Sequence, residues 1–142
     1  MQENPDIFVL TGDLGYGGFD KIRNMFPERF INCGASEQAM LDIAVGLALK
    51  GKIPFCYTIS SFYLRAMETI SLYLHHEGIA VHLVGSGRDD DYKHDGFSHD
   101  ASMVQDVMKI MNIDQYYPDT KEAVPAMVKM MIENKKPSYI SL

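Results

Sequence analysis

The sequence predicts an α/β fold, a three-layer sandwich in which a mainly parallel sheet of about five to six strands carries helices on both faces. Three observations predict it. Strand-like and helical runs alternate from one end of the chain to the other. The first strand-like run gives way at once to a glycine-dense loop and then to a helical segment. With 142 residues, 46% of them hydrophobic and 23% charged, and with no low-complexity run, the chain has the length and composition of one compact core.

In chain order, residues 7–11 are β-rich and closed by Gly12 and Asp13. The loop Gly15, Tyr16, Gly17, Gly18 then leads into a short helix over 19–25. A strand over 29–32, a helix over 37–50, a strand over 53–58 and a helix over 62–75 continue the alternation, and 80–84 is the next strand. A polar loop spans 85–98. A helix over 102–111, a short strand near 115–117, a helix over 121–134 capped by Thr120 and a terminal strand over 138–142 complete the pattern. No internal repeat and no linker is visible, so residues 1–142 read as a single domain. The helix over 37–50 carries Met40, Leu41, Ile43, Ala44, Val45, Leu47, Ala48 and Leu49 around most of its circumference. It is expected to be buried on nearly all sides, partly against another chain through a sizeable apolar interface.

Charge and composition narrow the function classes. A formal charge of −6 argues against a nucleic-acid partner, and Lys129, Lys135 and Lys136 are too few for a basic stripe. The apolar stretch 43–49 is far short of the ~20 residues that span a bilayer, and residues 1–5 do not resemble a signal peptide. No membrane association is therefore expected, and a cytoplasmic location is. Cys33 and Cys56 have no metal-ligand spacing and each ends an apolar run, which reads as two reduced packing thiols.

In open parallel sheets, ligands collect beyond the carboxyl ends of the strands. Four segments pass that filter: 12–18, 34–38, 58–65 and 85–100. They contain Glu37, His94, Asp95 and His99, the ionisable side chains expected to face a common crevice. Glu37 opens an otherwise apolar helix, so burial would disfavour its charged form and keep a carboxyl able to donate a hydrogen bond. Compensation of the helix dipole places acids at the same position. Asp89, Asp90, Asp91, His94, Asp95 and His99 are dense enough to suggest metal ligands. However, Lys93 sits where a calcium loop needs an oxygen, and no helical His-x-x-x-His pair exists. The cluster reads as a solvated acidic loop, and no metal is assigned to this chain. The glycines at 15–18 have neither dinucleotide spacing nor a Lys-Ser/Thr ending.

The stretch 26–40, with Gly34-x-x-Glu37-Gln38 at its centre, resembles the pyrimidine-binding domain of transketolases and deoxyxylulose-phosphate synthases. So do residues 44–48, 51–55 and 58–66, the run Asp95-Gly96-Phe97-Ser98-His99, and residues 137–142, in matching order and spacing. The resemblance covers nearly the whole chain. It implies thiamine diphosphate as cofactor, with Glu37 holding a ring nitrogen of the aminopyrimidine and so favouring its imino form. It also implies that Ile59 and Phe62 pack against that ring, that Arg65 lies near cofactor or substrate, and that Asp95 and His99 face the substrate. A histidine exchanges protons near neutral pH, which suits His99 to a catalytic part. Ile59 stands where the family often has an aromatic residue.

Family members bind the diphosphate through magnesium on a second α/β domain marked by Gly-Asp-Gly, whereas this chain has Gly12-Asp13-Leu14. The resemblance therefore implies that the diphosphate-binding and C-terminal domains are absent, and that the chain is a split subunit or a fragment. The active site would form against a diphosphate-binding transketolase-like chain, which would hold the magnesium. The expected function is transfer of a two-carbon ketol unit, or a related carboligation, on a sugar phosphate or related ketose. Homo-oligomerisation is a further expectation. The loop over 85–94 departs from the family pattern and lacks a histidine near Gly87. That departure leaves a non-catalytic scaffold or regulatory subunit as the alternative.

Overall fold

The computed structural model describes residues 1–89 and 91–142. Among them, β1 (Ile7–Thr11), β2 (Phe30–Asn32), β3 (Ile53–Ile59), β4 (His82–Ser86), β5 (Asp114–Tyr116) and β6 (Ser138–Ser141) form one sheet in the order β2-β1-β3-β4-β6-β5. Every strand pair is parallel. The helices are α1 (Asp20–Met25), α2 (Glu37–Leu49), α3 (Met67–Thr69), α4 (Val104–Ile110) and α5 (Val124–Asn134).

Handedness distributes the helices between the two faces. Parallel crossovers are almost always right-handed, so the direction of each step along the sheet decides which face its connection covers. The steps from β2 to β3, β3 to β4 and β4 to β5 run one way, and their connections share a core with Leu10, Cys56, Leu83 and Tyr139 of the sheet. Met40, Leu41, Ala44 and Val45 of α2, Ile70 and Leu74 after α3, and Val104 and Met108 of α4 fill that core. The steps from β1 to β2 and from β5 to β6 run the other way. Accordingly, Met131 of α5 packs on Phe55 and Ile140 on the opposite face, where Ile22 of α1 also lies beside Ile7, Phe55 and Tyr57. Both faces of β3 are thus covered, which explains its nearly uninterrupted apolar run.

Where the element boundaries differ from those expected, specific side-chain and backbone contacts explain the difference. The helix expected over 62–75 is a 3-10 turn over Ser60–Ala66, the α turn α3, and a π-helical stretch over Ile70–His76. Ser60 Oγ donates to the Ser86 carbonyl at 3.0 Å and Ser61 Oγ to the Ser98 carbonyl at 2.9 Å. Tyr63 is pulled into the sheet as well, and these ties hold the segment in a tighter turn than an α-helix allows. The strand expected over 80–84 begins at His82, because the Val81 N–H turns back to the Ile79 carbonyl, and it runs on to Ser86 because Gly85 and Ser86 pair with Thr58 and Ile59. The helix expected over 102–111 starts at Val104, since Asp100 Oδ1 accepts the Ser102 N–H at 2.8 Å and holds the preceding turn. The last helix starts at Val124 with Pro125 in its first turn, and Thr120 contributes only its carbonyl, not a side-chain cap.

Within this chain α2 is not enclosed on all sides, and the apolar surface it leaves open is that expected to meet another chain. One face of α2 is in the core, while Ile43 and Leu49 are 41% and 67% exposed. Both cysteines carry free thiols, with Cys56 fully buried and Cys33 half-buried. Burial pushes both thiols up, and Cys33 adds to the effect at Cys56. No helix among the described residues is long and apolar enough to cross a membrane.

Tyr63 is fully buried on the face covered by α2. Its hydroxyl lies 2.5 Å from the Cys56 carbonyl and 3.0 Å from that of Val84, and it accepts the Val84 N–H at 2.9 Å. Removing the oxygen leaves a buried N–H without that partner. Tyr63→Phe is therefore expected to cost about 1–3 kcal/mol in urea unfolding, with little change in the far-ultraviolet spectrum.

Candidate functional site

The sheet order reverses direction between β1 and β3, so the connections after these two neighbouring strands leave in opposite directions and a crevice opens beyond their carboxyl ends. Glu37 lies there because α2 begins directly after β2 and must cross β1 to reach β3. It is the first residue of α2 and only 2% exposed. Thr58, near the end of β3 and fully buried, donates through Oγ1 to Glu37 Oε1 at 3.4 Å. Gly12, at the end of β1, borders the same pair: a Cβ there would stand in ordinary contact, 3.4 Å from Thr58 Oγ1 and 3.5 Å from Glu37 Oε1.

The turn after β3 supplies the remaining contacts. Arg65 Nη1 lies 3.0 Å from Glu37 Oε2 and 3.1 Å from Oε1, so the carboxyl expected in apolar surroundings has a guanidinium partner instead. The Arg65 side chain is half exposed and its Cζ stands 3.8 Å from the centroid of the Phe62 ring. Phe62 in turn meets the His99 ring edge-on, with centroids 5.1 Å apart. The hydrogen bond from Ser61 to Ser98 makes that contact, because it ties the loop after β4 onto the turn after β3. Ser98 Oγ also lies 3.0 Å from His99 Nδ1, and Tyr92 approaches the same ring at 6.1 Å.

Glu37, Arg65, Phe62 and His99 thus form one continuous row along the carboxyl edge of the sheet. Ile59 ends β3, 6% exposed. Asp95 does not join the row; it is exposed and faces His94, whose Nε2 is 3.5 Å from its Oδ2. Among the described residues, no group of three or more His, Cys, Asp or Glu is placed to hold a metal ion. Asp90, part of the acidic loop, lies outside them. A cavity of about 390 Å³ adjoins the row and is lined by Arg88, Tyr92, Lys93, His99, Ser102 and Tyr139 among others. Sequence reasoning assigned no role to Thr58 or Gly12. Their signal was position alone, at the ends of the two strands that flank the crevice.

Comparison with known proteins agrees with this architecture. The family model described as the transketolase pyrimidine-binding domain matches residues 1–142. Human transketolase is 30% identical over 139 residues, covering 94% of this chain and 22% of its own length. The 6-deoxy-6-sulfo-D-fructose transketolase subunit of a Clostridium species is 27% identical over 144 residues, covering 99% of this chain and 45% of the relative. The chain therefore spans less than half the length of these relatives. Among solved structures, a split-gene transketolase described as an inactive beta4 tetramer superposes with a TM-score of 0.86 at 34% identity, covering 99% of this chain and 46% of that one. Transketolase from Campylobacter jejuni shares the fold, with a TM-score of 0.87 at 19% identity over 99% of this chain and 23% of that one. With the family model matched from end to end, this chain belongs to the transketolase family and has the fold of its pyrimidine-binding domain.

Proposed function

We propose that the chain is the cofactor-activating subunit of a cytoplasmic, thiamine-diphosphate-dependent enzyme of the transketolase type. It works with a diphosphate-binding partner chain that holds the magnesium ion. The observation that carries this reading is the buried carboxyl of Glu37 at the crevice between β1 and β3, with the flat face of Phe62 and then His99 alongside. An aminopyrimidine requires one hydrogen-bonding carboxyl and an apolar wall, and these residues have that character. When bound, the cofactor supplies the nucleophilic carbon and the electron sink for two-carbon ketol transfer or a related carboligation.

Glu37 holds a ring nitrogen of the aminopyrimidine and handles the proton there. Phe62 and Ile59 give the ring a dry surface, which strengthens the contact to Glu37 by excluding water. Arg65 stands on the solvent side of the same place. His99 exchanges protons with an oxygen of a ketose or sugar-phosphate substrate. Asp95 is exposed in the single chain and meets substrate hydroxyls only as the partner closes the crevice. The exposed apolar residues of α2, Ile43 and Leu49, fit burial against that partner or a second copy.

The test is copurification of the tagged chain from its native host, followed by calorimetry with thiamine diphosphate and magnesium. The complex is expected to bind the cofactor and the isolated chain to give little heat. A stable complex that takes up none rejects the enzyme reading in favour of a scaffold subunit.

A further inference from the structure

We infer that Arg65 is a placeholder for the cofactor's aminopyrimidine, and that the cofactor binds by exchanging with it. This rests on the thiamine reading and goes beyond it. A guanidinium is flat, delocalised and rich in N–H donors, so it can meet a carboxyl along its edge and an aromatic ring with its face. Arg65 makes both contacts at once, with Nη1 at 3.0 and 3.1 Å from the carboxyl oxygens of Glu37 and Cζ at 3.8 Å from the centre of Phe62. These are the same two partners that the aminopyrimidine uses: an acceptor for its ring nitrogen and a flat wall for its face. One carboxyl edge and one ring face cannot serve both groups together.

The placement also suits release. The Arg65 side chain is 52% exposed while that of Glu37 is 2% exposed, so the buried member stays and the solvent-side member can swing away. Until then, the pairing supplies a cation to the buried Glu37 carboxyl, whose other side-chain hydrogen bond comes from Thr58. The exchange weakens cofactor binding by the fraction of molecules in which the pair is closed. A pair closed in roughly nine molecules of ten weakens the apparent affinity about tenfold. Arg65 is therefore a positioning residue that acts through Glu37, and its substitution should tighten cofactor binding.

The experiment compares wild type, Arg65→Met and Arg65→Lys, each assembled with the diphosphate-binding partner, by calorimetric titration with thiamine diphosphate in excess magnesium. Met keeps an unbranched apolar stem without donors, and the expected result is binding about tenfold tighter or more. Lys keeps a cation for the buried carboxyl but lacks the flat face, so it should tighten binding by a smaller factor. It carries the test if the Met variant fails to assemble. The second readout is the side-chain nuclear magnetic resonance signal of Arg65, expected to be ordered before the cofactor is added and motionally averaged at saturation. A merely structural arginine would not change. Binding by wild type that both variants leave equal or weaker, or an Arg65 signal indifferent to saturating cofactor, overturns the placeholder and leaves the thiamine reading standing. No heat from wild type or either variant removes the thiamine reading itself, and the placeholder with it.

Discussion

Glu37→Ala, assembled with the partner chain, is expected to lower turnover of a ketose donor by at least about a thousandfold while the complex elutes unchanged from a sizing column. The large effect follows from the position of the carboxyl. It is 2% exposed, and its contacts to Thr58 and Arg65 fix its direction before any ligand arrives. Assembly should survive, because a side chain buried within its own domain contributes little surface to a partner. Glu37→Gln refines the test: it keeps the shape and a hydrogen bond but cannot handle a proton as an acid does. Gln should therefore bind the cofactor better than Ala and turn over nearly as poorly. Activity within tenfold of wild type in the Ala variant would remove Glu37 from the mechanism.

The second large effect concerns stability in acid. His82 is 1% exposed, its Nδ1 lies 2.7 Å from Ser138 Oγ, and its ring packs on Phe55 at 4.6 Å between centroids. Burial lowers its pKa from 6.5 to about 4, because the charged ring would lose its hydration. The sign follows from where protons bind. Above about pH 6.5 the ring is neutral in both folded and unfolded chains, and the stability associated with its burial is fully present. Between pH 6.5 and about 4 the unfolded chain takes up a proton that the folded chain refuses, so stability falls as the pH drops. The difference amounts to about 3 kcal/mol across that window. Urea unfolding of wild type and His82→Asn at pH 7, 5.5 and 4.5 measures it. The Asn variant starts less stable but should lose less on acidification, and parallel losses in the two proteins would show that His82 does not titrate on unfolding.

Much of the fold was legible because the local signals and the tertiary structure agree. The strand over 7–11 and the start of the helix at Glu37 were read at the residues where they occur, since Gly12 breaks the first and an apolar run opens the second. A parallel sheet followed from alternation alone. The largest change of local structure is held by distant partners: Ser60 and Ser61 tighten their turn because Ser86 and Ser98 happen to face them, and nothing near residue 60 announces this. The same holds for the site. Glu37, Phe62, Arg65 and His99, all named from the sequence, stand in one row, whereas Asp95, named with them, has its carboxyl against His94.

The sequence by itself determined the class of the fold, the family, and the strand ends at which chemistry could sit, because hydrophobic period, glycine position and a motif such as Gly34-x-x-Glu37-Gln38 are properties of neighbouring residues. The tertiary structure decided what each side chain touches. Arg65 is placed near cofactor or substrate by the resemblance, but it becomes the partner of a buried acid only because the crossing of α2 over β1 brings position 37 against the turn that follows β3. Contacts between residues 28 apart in the chain depend on strand order and crossover handedness, and those are set by the packing of the whole sheet.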